Sequence, residues 1–508
     1  MSPLEALALG FQTVFHPANL IYTFLGIAVG LIVGVLPGIG GTGAIAISLP
    51  LTMFMPPTGA LIFLGGIYWG AIFAGAITSI LFGIPGEPWS AISILDGRPL
   101  AKSGKAGLAL TVNFTSALLG AWLATALFTF LALPLSMLAL RFGPPELFAV
   151  LLLAFGTFVG LESGSPAKSL VMMAIGLVLS AVGLDIVTGQ PRLNFGSVEL
   201  LKGIDFVPVT VGLFGLGEII YGAIEARRTS QELSALRLGL AHVWEGLGAV
   251  IRRAWLALSS ALLGFIIGVL PALGATPASI MAYGIAQRTS KEPQKFGKGA
   301  VEGVLAPEAA AGGASVGSML PMMTLGIPGS PTAAVIMAGL FMWGLLPGPV
   351  LFQQHPDFVW GFIASLWVGN LLAYLLCITA TPALVAIMRI PYAILAPLIV
   401  ILSVLGAYAV SNSMLDVWIM LACGVLGFIA RKLKYPLSPL IIALVLGTPA
   451  ENALRQTLIM SGGSIGILFT RPLAAVLTVV ALALFLLPLV ELAVRKLRQK
   501  PALASSAD

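Results

Sequence analysis

The stretch Gly34-Val35-Leu36-Pro37-Gly38-Ile39-Gly40-Gly41-Thr42 returns as Gly268-Val269-Leu270-Pro271-Ala272-Leu273-Gly274-Ala275-Thr276, an offset of 268 − 34 = 234 residues. A second pair follows in the same order. Gly83-Ile84-Pro85-Gly86-Glu87-Pro88 returns as Gly326-Ile327-Pro328-Gly329-Ser330-Pro331, an offset of 326 − 83 = 243 residues. The near-constant spacing marks a duplicated half-chain, and each copy carries two Gly/Pro breaks. Gly and Pro interrupt helices, one through backbone freedom and the other through its missing N–H. Such breaks are tolerated within a bilayer only where protein or a wet cavity satisfies the freed backbone groups.

The surrounding chain is apolar enough for that setting to apply. Of 508 residues, 58% are hydrophobic and only 9% charged, against about a quarter charged in soluble domains. Apolar runs near the ~20 residues of a membrane span include Leu20 to Leu36, Gly107 to Leu133, Val207 to Ile224, Trp255 to Leu270 and Leu473 to Leu492. They lack the ten-residue alternation of an outer-membrane barrel. The expected fold is therefore an all-α integral membrane protein with roughly 12 transmembrane helices, re-entrant or broken segments, and two repeats.

Basic residues mark cytoplasmic loops. After the first break, Met53 to Ala60 has none, whereas the counterpart loop carries Arg288, Lys291, Lys295 and Lys298. After the second break the pattern reverses. Arg98, Lys102 and Lys105 follow the first copy, and Phe341 to Phe358 in the second has no basic residue. Opposite-facing equivalent loops predict inverted-topology repeats. The expected organisation is a first repeat over 1–226, a cytoplasmic connector over 227–253, a second repeat over 254–472, and a terminal helix and cytoplasmic tail over 473–508. The N-terminus is expected in the periplasm and the C-terminus in the cytoplasm. No basic residue precedes Arg98, so no cleaved signal is expected.

Helix N-termini at such breaks present unpaired N–H groups that favour an anion. The candidate substrate-binding set is Gly38, Gly40, Gly41, Thr42, Gly43, Pro85 and Gly86 from the first copy. The second copy offers Gly274, Thr276, Pro277, Ser279, Gly326, Pro328, Gly329, Ser330 and Thr332. No Lys or Arg occurs over 1–97 or 299–388, so an anionic cargo would be balanced by backbone dipoles, by Na⁺ or by a proton. The cation-pathway candidates are Asn113, Glu302, Glu308 and Asn370, with Na⁺ as the candidate metal. Asp96, in Asp96-Gly97-Arg98-Pro99, reads as a turn residue. Tyr68, Trp69, Trp343, Trp360 and Trp367 read as interface anchors or packing, and Cys377 and Cys423 as buried thiols.

The runs Gly66-Ile67-Tyr68-Trp69-Gly70-Ala71 to Gly83-Ile84-Pro85-Gly86-Glu87-Pro88, Asp96-Gly97-Arg98-Pro99, and Glu302-Gly303-Val304-Leu305-Ala306-Pro307-Glu308-Ala309-Ala310 to Gly326-Ile327-Pro328-Gly329-Ser330-Pro331-Thr332-Ala333-Ala334 resemble the TctA family, the large permease subunits of bacterial tripartite tricarboxylate transporters. The resemblance implies a secondary transporter in the inner membrane that imports di- or tricarboxylates. It implies two partners, a periplasmic solute-binding protein and a small membrane subunit of about four helices, and uptake driven by Na⁺ or H⁺ without a cofactor. One departure is the run Ala309-Ala310-Ala311-Gly312-Gly313-Ala314-Ser315, where the family is expected to carry Asn. No nucleic-acid partner is expected. An enzyme would need an acid/base pair, nucleophile or metal cluster, and three His and two Cys are scattered along the chain. The rival reading is an ion or solute channel built on broken helices.

Overall fold

Prolines open many of the helices, because the missing N–H costs nothing in a first turn that has no intrahelical acceptor. Pro3, Pro17, Pro57, Pro144, Pro166, Pro331, Pro356 and Pro472 each stand at such a start. The computed structural model describes residues 2–36, 40–160, 165–185, 187–225, 239–271, 273–387 and 392–498. Its regular structure is helical apart from one hairpin of two-residue strands, Gly183–Leu184 and Pro191–Arg192. Among the described residues five helices are long and apolar enough to cross a membrane, or up to six if the pair Ala241–Ile251 and Ala254–Val269, bent by 76°, is one span. Shorter apolar helices such as Pro331–Met342 accompany them. The chain is a multi-pass α-helical membrane protein.

The chain forms two compact units, each assembled from separate stretches. The larger comprises residues 1–140 and 204–433. In it, helix Pro17–Gly34 lies along Pro57–Phe82, and Ala254–Val269 lies along Glu302–Gly317. Glycine makes both contacts possible, because without a Cβ two backbones can touch. A Cβ on Gly30 would stand 2.2 Å from the Ile67 carbonyl oxygen, and one on Gly34 2.8 Å from the Ala71 Cα. The same contacts recur at the repeat offsets. A Cβ on Gly264 would stand 2.1 Å from the Ala310 oxygen, and one on Gly268 2.3 Å from the Ala314 oxygen. Further, Pro3–Val14 packs on Pro356–Ile387, while Leu240–Ile251 packs on Ala106–Ala139. The chain's first helix thus rests on a long helix of the second half, and the helix Leu240–Ile251, which falls within the expected connector, rests on a long helix of the first.

The run Ala309 to Ser315 lies within a close helix crossing. A Cβ on Gly312 would meet the Ala117 oxygen at 2.3 Å, and one on Gly313 the Ala261 oxygen at 2.4 Å. In this chain the small residues there let three helices approach, and asparagine at 312 or 313 would not fit.

The smaller unit, residues 141–203 and 434–508, packs Ser438–Met460 on Pro166–Ser180 and Pro472–Arg498 on Pro144–Gly160. Its hairpin is held by ion pairs. Asp185 meets Arg455 at 2.7 Å and Arg192 at 3.7 Å, and Glu451 meets Arg455 at 2.6 Å and Arg192 at 2.8 Å. The Arg455 guanidinium, helped by the Thr188 and Val187 N–H groups, holds the Asp185 carboxyl well below the usual carboxylate range. Cys377 and Cys423 are free and buried.

Two outcomes follow. Gly264→Val should destabilise the protein by about 3 kcal/mol through overpacking, whereas Gly284→Ala, with no atom within 4 Å of the added methyl, should not lower the thermal midpoint in detergent. Equal midpoints for both variants would contradict the backbone contact. Since Asp185 is more acidic folded than unfolded, its contribution is full above the ordinary aspartate pKa of ~3.9 and fades as pH falls below it. Asp185→Asn should flatten the acid limb of a melting-versus-pH profile, and an unaltered limb would show that the ion pairs carry no pH-dependent stability.

Candidate functional site

The long helix Pro57–Phe82 ends at Gly83, in the left-handed conformation with φ 72°, and Met319–Leu325 ends in the same way at Gly326, φ 70°. Only glycine adopts this geometry without strain. Each cap turns the chain back so that the following glycine presses on the end of the first helix. A Cβ on Gly86 would stand 2.7 Å from the Gly34 oxygen, and one on Gly329 2.4 Å from the Gly268 oxygen. The two breaks of each half are therefore stacked against each other. Helix Gly40–Ser48 then starts at Gly40, φ 64°, and helix Ala275–Thr289 follows Gly274, φ 59°.

At the first of these helix starts the anion position is already filled from within the chain. The Gly41 N–H donates to Oε1 of Glu87, which is buried, and a carboxylate at a helix N-terminus is favoured by the dipole. Glu87 is held by its own turn. Its N–H donates to Ser90 Oγ at 3.2 Å, Ser90 Oγ donates to its carbonyl at 2.8 Å, and Ser79 Oγ donates to Ser90 Oγ at 2.7 Å. At the second helix start, the residue at the equivalent position is Ser330, since 330 − 243 = 87. Its Cβ lies 3.2 Å from where a Cβ on Gly274 would be. Ser330 accepts from the Ala333 N–H at 3.1 Å, capping Pro331–Met342, and donates to Ser318 Oγ at 3.2 Å. One cradle holds an acid, and its counterpart holds only a hydroxyl.

The breaks of the two halves meet directly. Thr42 Oγ1 and Thr332 Oγ1 are 2.7 Å apart. The Tyr68 side chain, from the middle of Pro57–Phe82, lies near those of Ser315, Ser330 and Thr332. Gly40, Thr42, Thr276 and Pro277 are half-buried, and Gly43, Pro328 and Thr332 are buried.

The remaining candidates fall out differently. Ser279 Oγ donates to the Pro307 carbonyl at 3.0 Å, so it joins two helices. Pro85 is exposed, and Gly86, Gly326 and Gly329 shape the turns. Gly38 lies outside the described residues. Of the cation candidates, Glu302 pairs with Arg253, and the Asn370 amide donates to the Leu366 carbonyl at 2.7 Å. Asn113 and Glu308 are buried and adjacent.

Asp96 is not a turn residue. It sits in helix Ile94–Leu100, fully buried, where its Oδ1 accepts from the N–H groups of Gly299 at 2.8 Å and Ala300 at 2.7 Å, and its Oδ2 accepts from the Tyr283 hydroxyl at 2.9 Å. A carboxylate can accept that many donors, whereas a solvated turn residue would not need them. It ties the segment after one half's second break to the loop before the other half's Glu302–Gly317 helix. Tyr68, Trp69 and Trp360 are buried to within 2%, as packing side chains are, and the Tyr68 hydroxyl adds a polar contact to the site.

A family described as the tripartite tricarboxylate transporter TctA family matches residues 20–442. A relative from Agrobacterium vitis, described as an uncharacterized 52.8 kDa protein in the TAR-I ttuC' 3' region, is 39% identical over 503 residues, covering 98% of this chain and 99% of its own. A second from Agrobacterium vitis, described as an uncharacterized protein in the TAR-II ttuC' 3' region, is 38% identical over 226 residues, which is 44% of this chain and 93% of its own. No solved structure matches.

Thr42→Val and Thr332→Val should each raise the apparent KM for the transported acid about tenfold, or ~1.4 kcal/mol, at normal membrane expression. Ser259→Ala, an exposed hydroxyl bonded to the Leu256 carbonyl of its own helix, should leave it unchanged. Identical kinetics in all three would remove the threonine pair from the site.

Proposed function

Since the chain belongs to the tripartite tricarboxylate transporter TctA family, we propose that it is the large membrane subunit of a binding-protein-dependent secondary carrier. It imports di- or tricarboxylates across the bacterial inner membrane by cation-coupled alternating access. It is a carrier, not an enzyme, and works with a periplasmic solute-binding protein and a small membrane subunit. The observation that carries this reading is the 2.7 Å contact between Thr42 and Thr332, which puts helix breaks from both halves of the sequence at one place.

A carboxylate substrate is assigned to the second cradle, at the N-terminus of Ala275–Thr289. There Gly274, Thr276, Thr332 and Thr42 supply backbone and hydroxyl donors, with Ser330 beside Gly274, and no acid occupies the position that Glu87 fills in the first. Tyr68 adds a donor from the side. The site contains no fixed cation, so a net negative cargo is stabilised by dipoles and by a co-transported Na⁺ or proton.

Two inverted-topology repeats, 1–226 and 254–472, joined by a connector over 227–253, account for the paired contacts of Gly30 and Gly264, of Gly34 and Gly268, and of Gly86 and Gly329. In this reading each repeat contributes to both compact units, and the terminal segment over 473–508 follows the second. The basic loops place the N-terminus outside and the C-terminus in the cytoplasm. Movement of the stacked breaks against the rest of the helices then exposes the site alternately to the two sides.

The test is uptake of a labelled panel of citrate, smaller dicarboxylates and aromatic diacids by cells expressing this chain with candidate binding protein and small subunit, with and without an ion gradient. Uphill uptake of one acid that requires the binding protein is the expected result. Currents without accumulation of any acid would instead indicate a channel.

A further inference from the structure

Glu308 lies in helix Glu302–Gly317, immediately after Pro307, and is 1% exposed. Its Oε1 accepts a hydrogen bond from the Ser93 hydroxyl, while its Oε2, buried, has no hydrogen-bond partner among the described residues. Asn113, on helix Ala106–Ala139, is 0% exposed and next to this carboxyl. Neither its Oδ1 nor its Nδ2 makes a hydrogen bond of full geometry among the described residues, although the side chain is within hydrogen-bonding reach of the Glu308 carboxyl. One turn along, on the same face of that helix, Ser116 is also fully buried, its hydroxyl without a partner among the described residues.

Buried polar atoms in proteins are nearly always satisfied, and an unpaired buried carboxylate carries the largest desolvation cost of all. No ion pair to Glu308 forms among the described residues, and no Lys or Arg occurs between 299 and 388. Glu302, one and a half turns earlier, has Arg253 as its counter-charge. Glu308 has none. The Asn113 amide lies beside the carboxyl, and its Oδ1 is a neutral, hard oxygen donor.

We infer that the Glu308 Oε2 and Asn113 Oδ1 oxygens hold a monovalent metal cation, Na⁺, where Glu302–Gly317 crosses Ala106–Ala139. This names the coupling ion of the carrier and so rests on that reading. Ser93 orients the carboxylate from its other oxygen, and Ser116 stands ready as a further oxygen ligand. The ion site is tied to the substrate region through the protein itself. The carbonyl of Pro307, the residue before Glu308, accepts from Ser279 in the helix whose N-terminus forms the second cradle. A cation that draws in Glu308 therefore acts on the turn that holds Ala275–Thr289. Of the four sequence candidates, the ion falls to Asn113 and Glu308, and Glu302 and Asn370 have their own partners.

The experiment is equilibrium binding of radiolabelled Na⁺ to the purified full-length chain in detergent, at neutral and alkaline pH, for wild type, Glu308→Gln, Asn113→Ala and Glu302→Gln. Thermal melting in Na⁺ and in choline follows the fold of each. Wild type should bind Na⁺ saturably and be stabilised by Na⁺ over choline. Glu308→Gln, which keeps an acceptor for Ser93, should abolish saturable binding while melting cooperatively. Asn113→Ala should weaken Na⁺ affinity about tenfold, and Glu302→Gln should leave it unchanged. Absence of saturable Na⁺ binding to wild type at both pH values would overturn the inference, as would unchanged affinity in Glu308→Gln or Asn113→Ala. Carboxylate uptake without Na⁺ binding would leave the carrier intact and remove the ion site. Na⁺ binding that Glu308→Gln abolishes, without uptake of any acid, would do the reverse.

Discussion

Glycine lets one helix backbone lie directly on another in the larger unit, and both its packing and its breaks are built on that. At Gly30 against Ile67, and at Gly264 against Ala310, there is no room for a single methyl group. In a bilayer, where apolar side chains gain little by leaving lipid for protein, such close approach is what binds helices together. It also supports the breaks. A turn within the hydrocarbon exposes backbone groups that lipid cannot satisfy, and here each turn is pressed, through Gly86 or Gly329, onto the end of the helix that its half packs first. Cohesion of the core and the geometry of the site come from the same residues.

Charge is handled with equal economy. The break motifs contain no Lys or Arg, and three acids of the larger unit, Glu87, Asp96 and Glu308, are buried. Each is treated differently. Asp96 takes two backbone N–H groups and a phenol, so its charge is dispersed and its role is to clasp two loops. Glu87 takes the N-terminus of a helix and closes one cradle. Glu308 keeps an oxygen without a partner among the described residues, beside the Asn113 amide. Those differences, more than the matched motifs, separate structural acids from those suited to an ion, and they make two otherwise similar cradles unequal toward an anionic cargo.

The class of the protein and the position of its breaks were legible because composition and Gly/Pro spacing are local properties. The left-handed caps at Gly83 and Gly326 stand where the repeated motif put them. The roles of individual side chains were less legible, because their partners lie far along the chain. Asp96 is followed by Gly, Arg and Pro and so resembles a turn, but its donors are about 200 positions away at Gly299 and Ala300. Glu302 looked like an unpaired acid until the fold brought Arg253 beside it. Ser279 had the right residue type at the right turn, with a hydroxyl that is used on another helix. Tyr68 lay in an apolar stretch with nothing to mark the direction of its hydroxyl. The division into two units, each drawn from two stretches of chain, has no signature in a linear reading.

Whether breaks from the two halves of the sequence form one site is decided by a crosslink between Thr42→Cys and Thr332→Cys, whose native hydroxyls are 2.7 Å apart. Oxidation of the double variant should produce an intramolecular disulfide, identified by mass spectrometry, that arrests uptake until it is reduced, with neither single variant affected. If both thiols are reactive in the membrane and no disulfide forms, the two breaks do not meet and the site as described does not exist.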